Sequence, residues 1–235
     1  MLWTVPKLWD GGDAWIIGGG ASMPRQFDIP EDVIQRVMNG KEDVSAYSPY
    51  LSPLHNKHVI GVNNAYRIGN WIDICFFGDC SWYLVHRLAL AKFPGLKITC
   101  CIRFAAKSGK NMEGIKYLAK DKAIRYGIST NPSTVAWNAN SGAAAISLAA
   151  NLGAKRIILL GFDMSLDQNH RSHWHRQHHP TKKTPPLPPF KRHLRGFPDI
   201  ASHAKKRGIE IINCSPVSAI KEFKVVPVAK LLQDS

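Results

Sequence analysis

Nowhere in the chain do apolar residues run on for the ~18 positions that a membrane span requires. The stretch from Met1 to Gly20 lacks the basic start, apolar middle and small-residue cleavage site of a secretory leader. Cysteine is sparse and odd in number, at Cys75, Cys80, Cys100, Cys101 and Cys214, and most of these sit inside apolar, strand-like runs. That is the usage of a reducing compartment, where cysteine serves as a small buried hydrophobe. A cytoplasmic protein is therefore expected. Acidic residues are also scarce, 17 against 31 lysines and arginines, for a net charge of +14. Such an imbalance favours polyanionic partners or a negatively charged substrate and is silent about fold. The chain has no internal repeat, no G-x-G-x-x-G and no P-loop, since no Gly-Lys-Ser/Thr follows its first glycine run.

What is present is an alternation of apolar runs and helical patterns in 235 residues, 45% of them apolar. That length suits one domain spanning 1–235. Strands are predicted near 14–17, 58–62, 72–77, 97–102, 156–160 and 209–212. Helices are predicted over 30–38, 82–92, 112–120, 141–152 and 198–207, with a short one after Pro227. Strands alternating with helices predict an α/β fold, a mostly parallel sheet with helices on both faces. Residues 41–57 read as a polar, proline-containing loop. The block from Asn140 to Met164 organises the rest: a capping asparagine or serine, a small apolar helix, Gly153 at its end, and a strand buried on both faces. Asp163 lies just past the carboxyl end of that strand, where open α/β sheets bind ligands.

Several strand ends share this chemistry. Gly18, Gly19, Gly20 and Ser22 follow the first strand, and glycine amides there can approach a phosphate. Asn63 and Asn64 close the second strand, and Asp79 the third. From 165 to 197 the composition changes, with five histidines within ten residues (His170, His173, His175, His178, His179), then Lys182 and Lys183 and prolines at 185, 186, 188 and 189. Prolines at that density exclude regular structure from the second half. A long, basic, His/Pro-rich loop lying over the ligand edge as a lid is expected. An imidazole from His173, His175 or His178 suits acid–base work. Two other readings of the cluster stay open: a metal pair (His173 with His175, or His175 with His179), and a solvated cationic loop. No Cys or carboxylate trio accompanies the pairs, so no metal ligand is assigned. Lys182, Lys183, Lys191 and Arg192 are candidates to offset anionic charge, and Trp174 and Phe190 to stack on a base.

The motifs Ile16-Ile17-Gly18-Gly19-Gly20-Ala21-Ser22-Met23, Val62-Asn63-Asn64, Phe77-Gly78-Asp79 and Ser141-Gly142 through Gly161-Phe162-Asp163 resemble those of two related groups. One is the bacterial sialyltransferases of glycosyltransferase family 42. The other is the hydroxymethylpterin diphosphokinase-like (MptE-like) proteins, together with small phage and bacterial proteins of the same layout. The resemblance runs through residues 14–220 and is specific only over Ser141–Asp163. It implies a Rossmann-like sheet that takes an activated nucleotide. Gly18 to Ser22 would wrap the donor's phosphate, with Asn63 or Asn64 meeting phosphate or base. Asn140, Ser141 and Gly142 would hold the nucleotide, Asp163 would meet the ribose or reacting group, and a histidine of the cluster would be the general base. Ala21 and Met23 stand where the pattern has proline and leucine. The acidic, metal-holding set of the pterin kinases is not found.

The leading expectation is a transferase, a sialyltransferase-like glycosyltransferase. Its nucleotide-sugar donor, CMP- or UDP-linked, is a co-substrate rather than a permanently bound cofactor, and its metal requirement is open. The charge suits an acidic acceptor, a nucleic acid such as modified phage-type DNA among them. The alternatives are a nucleotide-dependent pyrophosphokinase and a non-enzymatic nucleic-acid-binding protein.

Overall fold

The computed structural model describes residues 2–104, 114–176 and 189–233. Along the chain the strands are β1 (Asp13–Ile17), β2 (Val59–Val62), β3 (Ile74–Phe77), β4 (Leu96–Thr99), β5 (Ile115–Tyr117), β6 (Ala119–Lys120), β7 (Thr134–Val135), β8 (Arg156–Leu160), β9 (Glu210–Asn213) and β10 (Lys224–Val225). The helices are α1 (Glu31–Met38), α2 (Cys80–Ala91), α3 (Ser141–Asn151), α4 (Phe190–Leu194), α5 (Phe197–Lys206) and α6 (Val228–Gln233). Eight strands form one sheet in the order β10-β9-β8-β1-β2-β3-β4-β5, every neighbouring pair parallel, while β6 and β7 pair separately. The α/β class expected from sequence is what the chain adopts.

The core explains why the strands read as continuous apolar runs. Ala14 and Ile16 of β1, Ile157 and Leu159 of β8 and Ile60 of β2 face α3 and α5 on one side. Their neighbours Trp15, Ile17, Ile158, Leu160 and Val59 face α1, α2 and α6 on the other. Alternate residues point to opposite faces and both faces are covered, so beyond the paired Asp13 and Arg156 at their starts no polar side chain is left along β1 and β8. α3 is buried along nearly its whole length. Its alanines let it lie close over the sheet, and Asn140 caps it by accepting from the amides of Gly142 (2.8 Å) and Ala143 (3.3 Å).

Several boundaries differ from the sequence reading. Residues 44–54 form a 3-10 helix in which Val44, Tyr47, Leu51 and Leu54 are buried, rather than a polar loop. The helix predicted over 112–120 is instead the short strands β5 and β6 where the chain is described. α4 occupies part of a segment expected to lack regular structure. Cys80 and Cys101 form a disulfide with a Cα–Cα distance of 5.4 Å, which corrects the expectation that all five cysteines are thiols. Cys75, Cys100 and Cys214 are free and buried, as expected. No helix among the described residues is long and apolar enough to cross a membrane.

Candidate functional site

β1 stands where the sheet changes direction. The chain runs from β1 outward through β2 to β5, then returns to build β8, β9 and β10 on the other side. Loops leaving β1 and β8 at their carboxyl ends therefore diverge, and the crevice between them is the usual ligand position in such sheets. Here the two loops are stitched together. Gly18 N–H donates to Leu160 O and Gly20 N–H to Gly161 O, both at 2.8 Å. A Cβ on Gly20 would fall 2.6 Å from both Gly161 O and the Asp163 carboxyl carbon, so only glycine allows this approach.

Asp163 lies inside this seam. It is 2% exposed and accepts from Ser22 twice, from the amide at 2.8 Å and the hydroxyl at 2.6 Å. Neither Asp163 nor Ser22 lines the neighbouring pocket. A carboxylate following an apolar strand must be solvated or hydrogen-bonded, and this one is satisfied within the protein. The expected meeting of Asp163 with a ribose is replaced by a buried link between two loops. Trp174 is likewise a core residue and not a stacking platform: it is 2% exposed and its Nε1–H donates to Gly18 O at 2.7 Å.

Beyond the seam a pocket of about 990 Å³ opens at the strand ends. Gly18, Gly19 and Gly20, Asn63 and Asn64, Asp79, and Asn140, Ser141 and Gly142 converge on it. Of the cluster, His173 and His175 line it; His178, with Lys182 and Lys183, lies outside the described residues. Arg192 lines the pocket, whereas Lys191 on the same helix does not. The sequence reading missed Arg67, His86, Lys120, Trp137 and His193, which line the pocket together with Arg176. His86 sits one helical turn beyond Trp82 on α2, a helix that starts at the rim, and that i, i+4 pair was the available signal.

The pocket walls hold backbone in an unusual state. Asn63 (φ 52°), Ala139 (φ 53°) and Met164 (φ 50°) are left-handed, and each lines the pocket. Such conformations are costly for residues with a Cβ and gather at functional sites. Asn63 Oδ1 is also buried without a hydrogen-bond partner among the described residues. A buried acceptor left unpaired is unfavourable.

The charge on the walls is cationic, and the imidazoles are neutral. Burial holds His173 down at about 3, with His175 and His193 beside it adding to the effect. Burial also holds His175 and His86 at about 4. His173 Nδ1 lies 2.7 Å from Ser172 Oγ, and its Cδ2–Nε2 edge stands over Gly19, where a Cβ would meet Cδ2 at 2.9 Å. Trp82 Nε1–H donates to Asn64 Oδ1 at 2.6 Å, which turns the amide nitrogen toward His175 Nδ1 at 3.2 Å. That favours a proton on His175 Nε2, while Arg176 O, 3.1 Å from the same Nδ1, favours the other tautomer. Trp82 and His86 stack at 4.4 Å, and Lys120 lies 4.0 Å over the Trp137 ring. Asp79 caps α2 by accepting from Ser81 N and Ser81 Oγ, both at 2.9 Å. No group of three His, Cys, Asp or Glu side chains among the described residues is arranged to hold a metal ion.

No protein-family model matches the chain, and no curated protein does. Among solved structures, the sialyltransferase CstII from Campylobacter jejuni in complex with cytidine-5'-monophosphate is similar over 92% of this chain and 84% of that one, at 11% identity and a TM-score of 0.47. A variant of sialyltransferase CST-II in complex with CMP is similar over 92% and 86%, at 14% identity and a TM-score of 0.48.

Proposed function

We propose that the protein is a transferase that binds a nucleotide-activated donor, a CMP- or UDP-linked sugar by the sequence resemblance, and passes the sugar to a hydroxyl or amine. The observation that carries this reading is the convergence of Gly18, Gly19 and Gly20, Asn63 and Asn64, and Asn140, Ser141 and Gly142 with cationic and neutral imidazole side chains on one pocket at the crevice between β1 and β8. Trp82, His86 and Trp137 offer apolar faces for the base. Arg192, Arg176 and Arg67 would offset phosphate charge. Gly18, Gly20 and Ser22 already spend their amides inside the protein, so phosphate recognition falls mainly to these side chains.

His173 is the base in this reading. With Nδ1–H donated to Ser172 Oγ, Nε2 would be the nitrogen that takes the proton. The acceptor oxygen attacks the donor's anomeric carbon while the bond to the nucleotide phosphate breaks. That electron pair leaves with the phosphate, and the acceptor's proton moves to Nε2. An anionic donor raises the pKa of a neighbouring imidazole, bringing His173 nearer the range in which a base works.

The test is a thermal-shift screen with CMP, UDP, GDP and ATP, each with EDTA and with Mg²⁺, followed by donor-hydrolysis assays on the nucleotides that bind. Stabilisation by a pyrimidine nucleotide in EDTA, with release of that nucleotide from its sugar conjugate, is the expected result. A response confined to ATP with Mg²⁺ would instead identify a pyrophosphokinase.

A further inference from the structure

α2 borders the pocket on one side and presents an unusual outer face on the other. Leu84, Val85 and Leu88 are 48%, 54% and 75% exposed, and Ile102 is 70% exposed. The disulfide from Cys101 to Cys80 ties the Ile102 turn to the start of α2, and Phe104 packs edge-on against Tyr83 at 4.9 Å. Ile102 is thereby held at the same end of the helix as Leu84. An exposed apolar group of this kind marks an interaction site more often than a scattered single residue does.

The charge around it is predominantly basic, with Asp79 exposed at the N-cap of α2 as an acidic neighbour. From Cys80 to Met112 the sequence contains no acidic residue and six basic ones, among them Arg87, Lys92 and Arg103. These three are exposed, on α2, just past its end and beside Ile102. Apolar side chains ringed by arginine and lysine match a surface that is apolar within and anionic outside. Four apolar side chains also fall short of the ~800 Å² per partner that a stable dimer buries.

We infer that this face of α2, with Ile102, docks on an anionic membrane surface. Leu84, Val85, Leu88 and Ile102 enter the headgroup boundary while Arg87, Lys92 and Arg103 pair with lipid phosphates, as interfacial helices do. Val85 belongs to both the apolar face and the pocket lining, so the pocket mouth would sit at the lipid surface. Only that last consequence depends on the transferase reading.

Flotation with vesicles of equal parts phosphatidylglycerol and phosphatidylcholine, against phosphatidylcholine alone, tests the inference. The protein should float with the anionic vesicles, and L88N together with I102N should lower the bound fraction by ~10-fold. R87Q with K92Q should abolish the preference for anionic lipid. Both apolar positions are mostly exposed, so the melting temperature and any nucleotide-induced shift should stay at wild-type values, which separates failure of the surface from failure of the site. Equal flotation of L88N/I102N and wild type would overturn the inference, as would a dimer in light scattering that L88N dissolves. So would a steeply salt-dependent affinity for duplex DNA in a protein that ignores the vesicles.

Discussion

Ser22 and Asp163, 141 residues apart, share two buried hydrogen bonds of 2.8 and 2.6 Å that close the turn after β1 onto the turn after β8. Asp163 thus acts through folding. Asp163→Ala removes both acceptors and leaves the Ser22 amide buried and unpaired, while the Ser22 hydroxyl keeps only the bond it accepts from Gln26 Nε2 (2.7 Å), a loss of about 2–4 kcal/mol. Chemical denaturation should show that loss as a lower midpoint with an unchanged slope. A variant as stable as wild type that has lost nucleotide binding would return Asp163 to the ligand site.

The neutral histidines predict an acid-side weakness. His173 at about 3, and His86 and His175 at about 4, all lie below the ordinary imidazole value because burial disfavours the charged form. The unfolded chain therefore binds more protons than the folded one at mildly acidic pH. Their contribution is complete above pH ~6.5 and is lost as pH falls toward 4. Carboxylates with lowered values, such as Asp167 and Asp121, add a separate loss below that window. Melting temperature should fall between pH 7 and 5, and His86→Gln should flatten that slope. A constant melting temperature over this interval would show that the imidazoles are solvated.

How much could be read beforehand follows from burial. β1, β2, β3 and β8 were legible because parallel strands covered on both faces become nearly unbroken apolar runs, and β9 because Ile209, Ile211 and Ile212 flank its one exposed position, Glu210. β5, β6 and β7 are two or three residues long and only partly buried, so no period exists to detect. Pro49 and Pro53 suggested a loop, yet a 3-10 helix tolerates them while burying Tyr47 and Leu51. The glycines and asparagines of the pocket were visible as strand ends. His86 and Arg67 were not, because their approach to the pocket depends on how α2 and the turn after β2 are set against the sheet. The Ser22–Asp163 link was not legible for a related reason: a carboxylate at a strand end looks the same in sequence whether a ligand or Ser22 satisfies it.

The cysteines make a prediction that is simple to count. With Cys80 and Cys101 joined and three thiols free, denatured but unreduced protein should react with three equivalents of a thiol reagent, rising to five after reduction. Reduction should also lower stability by about 3 kcal/mol, the contribution expected for a loop of this size. Five equivalents before reduction would mean that the pair is not closed.

The last prediction separates His173 from His175. The two imidazoles lie 5.3 Å apart and both are held neutral, but their second nitrogens differ. Ser172 beside His173 can accept its Nδ1 proton and leave Nε2 as a lone pair. At His175 Nδ1 the Asn64 amide, oriented by Trp82, competes with Arg176 O, and when Asn64 donates there the ring proton sits on Nε2, where it can meet a phosphate oxygen. His173→Ala should then lower kcat by ~10²-fold or more with little change in donor affinity, within the range for a general base. His175→Ala should chiefly weaken donor binding. Gly19→Ala supplies an independent check, because its new Cβ would press on the His173 ring edge at 2.9 Å. It should reproduce part of the His173→Ala loss in turnover, with binding again retained. Reversed effects, with His175→Ala lowering kcat and His173→Ala lowering affinity, would exchange the two roles. Full activity in both histidine variants would remove these two rings from the proton transfer.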